Sequence, residues 1–353
     1  RSTAVAPRVR NPAWVWARRT LAVLVIGFAA GAAYNRRGDL AQASRMLGHL
    51  RVGWLAVAIA LEAGSMVVLA RLQRHLLRAG GVRIRLRPMV EITLAGNALG
   101  TSLPGGVAWA ATWAYGQLRR RGADRLLAGW VILTAGALGS FALFVMVAAG
   151  SWLAGSRGPV AHLRWLTAAL AAIPLAAALT ALAGRRSRRV RRVFAALWAL
   201  CLQRLPGAHL MARVADRMRY VQTTPRVWAT AFGLALANWV DDAACMAACI
   251  LALGLHVPWR GFLVVYSLTQ ISASLPVTPG GLGVVEGSMT ALLVAYGMTG
   301  GAALASVLLY RIVSYWGLVP IGWGAWLALA TPAGLVKRPR GGLRPTRPAR
   351  SGR

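Results

Sequence analysis

The chain has 353 residues, 57% of them hydrophobic, a mean hydropathy of +0.55, and 41 basic against 8 acidic residues for a formal charge of +33. Apolar runs of about twenty residues at that hydropathy exclude a soluble globular protein and specify an integral helical membrane protein. Nearly all the arginines stand in the gaps between apolar runs, which fits topogenic loops and argues against a nucleic-acid partner.

Residues 1–19 carry five arginines and read as a basic cytoplasmic N-terminal segment. A transmembrane domain follows over 20–330, and 331–353 is a basic, proline-rich tail with the composition of a disordered segment. Within the domain, the short apolar run 20–34 reads as a first spanning helix, although Ala30-Gly31-Ala32 also resembles a signal-peptidase site. Residues 35–51 read as an amphipathic interfacial helix, and a span from 53 to 69, with Glu62 at its middle, runs into the basic stretch 71–87. Residues 88–116 are interrupted at Thr101-Ser102-Leu103-Pro104-Gly105-Gly106 and followed by Arg119-Arg120-Arg121. Spans are expected over 124–149 and 163–183, then a basic cytoplasmic linker over 185–226. The next span, 225–253, carries Asn238, Asp241 and Asp242; a second interrupted segment fills 259–297, and 302–330 is the last span. Cys201, Cys245 and Cys249 form no disulfide framework, and the last two share a helix face as small packing residues.

The second interruption, residues 274–287, reads Ser-Leu-Pro-Val-Thr-Pro-Gly-Gly-Leu-Gly-Val-Val-Glu-Gly. Proline lacks the amide donor and glycine is entropically costly to order, so no helix continues through it. Broken backbone at membrane depth is tolerated only inside protein or along a wet cavity. Ser102-Leu103-Pro104-Gly105-Gly106 matches Ser274-Leu275-Pro276 with Gly280-Gly281, each between helical runs, which is the pattern of a repeated unit.

Charge placement gives that repeat a direction. If 88–116 crossed the bilayer once, one of the two flanking arginine clusters would lie outside; if it enters and returns, both stay cytoplasmic. The arginine-poor gaps 254–261 and 297–301 then fall outside, so the second hairpin enters from the opposite face. The expected fold is all-α: a polytopic membrane protein of two inverted-topology repeats, each with a re-entrant broken-helix hairpin. Both termini are cytoplasmic in a multi-pass protein of the cell membrane.

The hairpin tips supply the first candidate binding residues: Ser102, Gly105 and Gly106 in one, Ser274, Gly280, Gly281 and Gly283 in the other. Helix N-termini near Gly106 and Gly281 offer unpaired amides to an anionic group such as a phosphate. The plainer alternative is that these glycines permit tight helix packing. Glu62, Asp241, Asp242, Glu286 and Arg311 also lie within apolar runs. A charge at a helix centre costs about 2.5 to 3.5 kcal/mol on insertion scales, so their presence argues for a lined cavity or for ion pairs that lock helices together. Glu286 is the expected partner of Arg311, with Asp241 or Asp242 next. Ser306, Tyr310 and Ser314 recur every four residues beside Arg311 as a polar stripe expected to face the cavity. Helix ends that favour anions and carboxylates that favour cations suit a zwitterionic or aminoacylated phospholipid head group.

At 274–286 and Tyr310-Arg311 the sequence resembles the flippase-like family named after the transmembrane region of lysylphosphatidylglycerol synthetase. The matching residues are Pro276, Pro279-Gly280-Gly281-Leu282-Gly283, Glu286-Gly287 and Arg311, with Ser102, Pro104 and Gly105-Gly106 in the first repeat. In bifunctional relatives, the multiple peptide resistance factors, the resemblance implies a region that moves aminoacylated phosphatidylglycerol between leaflets, beside a soluble synthetase domain. No such domain fits in these residues, so aminoacyl transfer is not carried over, and a separate lipid-modifying enzyme becomes the expected partner. Other relatives are associated with polyprenyl-linked sugar, hopanoid or cell-envelope pathways.

The leading expectation is therefore a non-enzymatic lipid translocase whose partners are its lipid substrate and anionic head groups at the cytoplasmic arginine clusters. No phosphate-binding loop appears, and no cofactor or metal is expected. Asp241 and Asp242 are neighbours on a helix, about 100 degrees apart, and cannot easily ligate one ion. The competing readings are a membrane-embedded transferase acting on a lipid phosphate and a structural cell-envelope assembly protein.

Overall fold

The computed structural model describes residues 37–103, 105–155, 224–273 and 279–330. The expectations for 1–36, for the span 163–183, for the linker up to 223, for Ser274 and for the tail lie outside these residues. The described residues are helical throughout, with no strand among them. In chain order they form α1 (Arg37–Leu47), α2 (Val52–Ala79), α3 (Leu86–Ser102), α4 (Gly106–Arg120), α5 (Arg125–Ala154), α6 (Pro225–Ala252) and α7 (Trp259–Ala273). A 3-10 turn (Pro279–Gly281), α8 (Val284–Ala295), α9 (Gly300–Arg311), a π turn (Ile312–Trp316) and α10 (Leu318–Ala330) complete them.

Four candidate membrane spans stand among the described residues: Val52–Ala79, Arg125–Ala154, Pro225–Ala252 and the composite Gly300–Ala330. This is a multi-pass membrane protein, and these four coincide with expected spans. The 28 residues of α2 extend about 42 Å at the helical rise of ~1.5 Å per residue, against a hydrocarbon core of ~30 Å. The surplus is the last two turns or so, bearing Arg71, Arg74, His75 and Arg78. Local signals set the helix starts: the Asp124 carboxylate accepts from the Leu127 amide at 2.6 Å, and Pro225 opens α6, where no amide is needed.

Both interrupted segments fold as paired short helices. α3 and α4 pack on each other across a break at 103–105, and α7 and α8 pack on each other across 274–283. The four helices have 17, 15, 15 and 12 residues, each shorter than the ~20 residues of a full crossing. Gly105 turns the first pair with φ of 65°, and any Cβ on Gly106 would run into the Gly100 carbonyl. The glycines thus serve the turn and the close approach.

The core has two centres. Leu72, Leu76, Met89, Ile92 and Val131 join α2, α3 and α5, while Met246, Ile250, Tyr266, Met289 and Leu309 join α6 to α9. α2 and α6 share the most extensive helix contact, eased by Ala58, Ala70, Ala231 and Ala235, each essentially fully buried. α10 seats on α3, where Gly322 faces the Leu94 carbonyl and the Ala98 side chain.

That contact yields a paired test. Gly322→Ala should cost about 1 to 3 kcal/mol through overpacking. Gly324→Ala, whose Cβ would meet nothing within 4 Å, should be neutral or slightly stabilising. Thermal unfolding of both variants in detergent checks this, and equal behaviour would mean that α10 does not seat on α3.

Candidate functional site

The second break is closed by its own side chains. Glu286, in the first turn of α8, turns back so that its Oε2 accepts from the Gly283 amide at 2.6 Å. This is a capping geometry in which a carboxylate meets the positive end of a helix. Its other oxygen accepts from Arg311 Nε at 2.8 Å, and Arg311 Nη2 donates to the Gly280 carbonyl at 3.0 Å. One guanidinium therefore spans both sides of the break, and Arg311 is only 8% exposed. The partner expected for Arg311 is the one found. The helix after the break begins at Val284, with Gly283 as its cap, later than the start near Gly281 expected from the sequence. Its amides meet Glu286 first, because the carboxylate is attached and local.

Tyr315 joins this break to the other one. Its ring lies under Arg311, 4.1 Å from the guanidinium carbon to the ring centroid, and its hydroxyl donates to the Thr101 carbonyl at 2.9 Å. Gly280, at φ of 59°, packs on the same ring so closely that a Cβ there would strike it. Ser102 accepts from Trp323 Nε1 at 3.3 Å. The last turn of α3 and the 3-10 turn are in direct contact. Ser102, Gly280, Gly281, Gly283, Glu286 and Arg311 thus share one neighbourhood.

A second cluster lies around Asp242. Its carboxylate accepts from Tyr266 Oη at 2.6 Å, Gln270 Nε2 at 2.9 Å and Tyr310 Oη at 2.9 Å. Glu62 of α2 lies level with Asp242 on the same helix interface. Glu62 is 3% and Asp242 8% exposed. One turn along the same interface, Ser65 Oγ donates to Asn238 Oδ1 at 3.2 Å. The adjacent aspartates diverge as helix geometry requires: Asp242 points inward, while Asp241 is half-exposed beside Gly64 of α2. No group of three or more His, Cys, Asp or Glu side chains suited to a metal occurs among the described residues.

The polar stripe on the last span is only partly a stripe. Ser306 is fully buried and donates to the Ala302 carbonyl of its own helix at 2.8 Å, Tyr310 faces Asp242, and Ser314 falls in the π turn. A π turn shifts the angular register, so the four-residue period does not carry past Arg311. Tyr266, Gln270 and Tyr315 were not singled out from the sequence. Tyr266 and Gln270 stand four apart on the helix before the break, and Tyr315 stands four after Arg311; that spacing beside known charges is the signal that marks them.

At the basic end of α2, Arg71, Arg74, His75, Arg78 and Leu234 line a shallow basin of about 220 Å³. Arg74 Nε donates to the Ile84 carbonyl and His75 Nε2 to the Val227 carbonyl, both at 3.1 Å, which fixes these two side chains.

Comparison with known proteins places this geometry. A family model described as the lysylphosphatidylglycerol synthase TM region matches residues 15–322. Two UPF0104 membrane proteins of Methanothermobacter thermautotrophicus are similar over shorter stretches. One is 30% identical over 93 residues, covering 26% of this chain and 26% of the relative; the other is 29% identical over 91 residues, covering 26% and 27%. The matched stretch thus spans about a quarter of each relative's length.

The Arg311–Glu286 pair gives a test of how the break is held. Arg311→Met alone leaves a carboxylate and the Gly280 carbonyl without their donor, and should cost about 3 to 5 kcal/mol. Adding Glu286→Gln should recover part of that loss. A double-mutant cycle by thermal unfolding in detergent reads the coupling, expected at about 1 kcal/mol or more; additive losses would mean that the pair does not brace the break.

Proposed function

This chain belongs to the lysylphosphatidylglycerol synthase TM region family, and on that premise we propose that it is a translocase carrying a polar-headed lipid between the leaflets of the cell membrane. The observation that carries the reading is the meeting of two broken helical segments at Tyr315, beside a buried arginine and its carboxylate. Irregular backbone and buried charge, brought together among apolar helices, are what a path for a polar head group requires.

In this reading the α3–α4 pair enters from the cytoplasm and returns, and the α7–α8 pair enters from outside. The two halves are inverted repeats, and both termini are cytoplasmic. The short helices and the arginine clusters on either side of the first pair support that topology. The basin of Arg71, Arg74, His75 and Arg78 gathers anionic head groups at the cytoplasmic face. The transported head group combines a phosphate with an amine, as in a zwitterionic or aminoacylated phospholipid made by a separate enzyme. Arg311 faces the phosphate, since the Gly106 amide already donates to the Leu103 carbonyl at 2.9 Å; Glu286 and the half-exposed Asp241 face the amine. Ser102, Gly105, Gly280, Gly281, Gly283 and Ser314 line the path.

Two measurements test the proposal. Purified protein in liposomes should speed the exchange of fluorescent or aminoacylated phospholipid between leaflets without altering it chemically, and Arg311→Ala should slow that exchange about tenfold or more. A new lipid product would instead indicate the transferase reading, and no acceleration by the wild-type protein would sink translocation. Single cysteines replacing Arg74 and Arg120 should react with an impermeant reagent from the same side of the membrane. Reaction from opposite sides would remove the re-entrant hairpin.

A further inference from the structure

The carboxyl pair on the α2–α6 interface has hydrogen-bonding needs that the described residues do not meet. An ionised carboxylate only accepts. Asp242 is supplied as such a group, with donors from Tyr266, Gln270 and Tyr310 on its two oxygens. Glu62 is not. Its Oε2 is buried with no hydrogen-bond partner among the described residues, and the register that joins Ser65 to Asn238 sets it level with the Asp242 carboxyl one turn along. The arginine nearest in sequence to this cluster, Arg311, is bonded to Glu286 and Gly280.

Two carboxylates buried at one level, with no cation paired to them among the described residues, cannot both stay charged. The missing cation must also be small. A metal ion needs several oxygen ligands free to turn toward it, whereas the oxygens of Asp242 already face three donors whose hydrogens would repel such an ion. We propose that Glu62 and Asp242 form a proton-binding site, with the proton on Glu62 and Asp242 as its acceptor, and that its uptake and release accompany lipid movement. The coupling rests on the translocase reading; the proton site does not. On release, the Glu62 O–H bond breaks, the proton passes to water, and the electron pair stays on the new carboxylate.

The surroundings are enumerable. On α6, Asp242, Cys245 and Cys249 are buried on one face; from α9, Tyr310 reaches Asp242, and from α7, Tyr266 does. Asp241 lies on the neighbouring face of α6 beside Gly64. Of the other elements packed on α2, α3 carries Glu91, ion-paired with Arg87 at 3.2 Å, and α5 carries Arg125 at its first residue. The π turn carries Tyr315, stacked on Arg311. The route to the break is short: Tyr310 donates to Asp242, and the next residue, Arg311, holds Gly280 and Glu286.

Infrared spectroscopy of the full chain in liposomes reads the proton without reference to transport. A protonated-carboxyl band should be present at neutral pH, shift in heavy water, vanish in Glu62→Gln and persist in Asp241→Asn. Absence of the band in wild type, or its survival in Glu62→Gln, overturns the site; if that variant fails to fold, the wild-type band and its loss in Asp242→Asn decide. With one proton per lipid, an imposed gradient of about one pH unit should bias the lipid distribution about tenfold in wild type, and not in Glu62→Gln. A band without lipid movement keeps the proton site and discards translocation. Lipid movement that ignores the gradient keeps translocation and discards the coupling.

Discussion

Everything in the second half of the molecule depends on how the break at 279–283 satisfies its free backbone groups. A helix interrupted among apolar neighbours leaves carbonyls at one end and amides at the other with no water to meet them. Arg311 and Glu286 meet one group at each end: the guanidinium takes the Gly280 carbonyl, the carboxylate takes the Gly283 amide, and the two neutralise each other. A lone arginine or a lone glutamate could not do this, since each would leave its own charge unpaired in a poorly solvated place. The ion pair is therefore better understood as the means by which an irregular backbone persists than as a simple lock between helices. The same residues that hold the break also leave charge and polar backbone at one spot, so its structural role and its candidate role in binding are inseparable.

The Asp242 cluster solves a different problem. Here the charge sits on an intact helix, and the partners come from three others: Glu62 on α2, Tyr266 and Gln270 on α7, Tyr310 on α9. Charge-assisted hydrogen bonds of this kind are stronger than neutral ones and directional. They tie α2, α6, α7 and α9 where small residues already allow close packing. Ser65 and Asn238 extend the polar contact by one turn. The interface is thus polar at one level and made of alanines above and below it, which fixes the register of α2 on α6.

How much of this was legible in the sequence follows from the range of the signals. Helices and their breaks are written locally: the apolar runs around Glu62 and Asp242, the prolines and glycines near Gly106 and Gly281, and the capping residues Asp124 and Pro225 can all be read without tertiary knowledge. The pairing of Arg311 with Glu286 was also readable, because a buried arginine in a chain so poor in acids has few partners. Hydroxyl and amide side chains were not, since Tyr266, Gln270 and Tyr315 are unremarkable on an apolar helix until the fold brings them to a charge. The π turn was hidden for a related reason. Nothing in Ile312-Val313-Ser314-Tyr315-Trp316 breaks a helix locally, and the widened turn shows only in the fold, where the Gly317 amide reaches back to the Ile312 carbonyl at 2.8 Å.

The π turn is also where the two clusters become one system. α9 carries Tyr310 toward Asp242 and Arg311 toward the break, about 100 degrees apart as consecutive helical residues are. Tyr315, four residues after Arg311, lies on the same side, so its ring passes under the guanidinium and its hydroxyl reaches Thr101 on α3. Three contacts in six residues therefore connect the acidic cluster, the second break and the first. Because Tyr310 and Tyr315 are both held by their hydroxyls at 2.9 Å, rotation of α9 relative to α6 cannot occur without breaking one end or moving the other. A segment that is fixed at both ends and widened in the middle is suited to transmit a change of charge at Glu62, felt through Asp242, to the place where the two breaks touch.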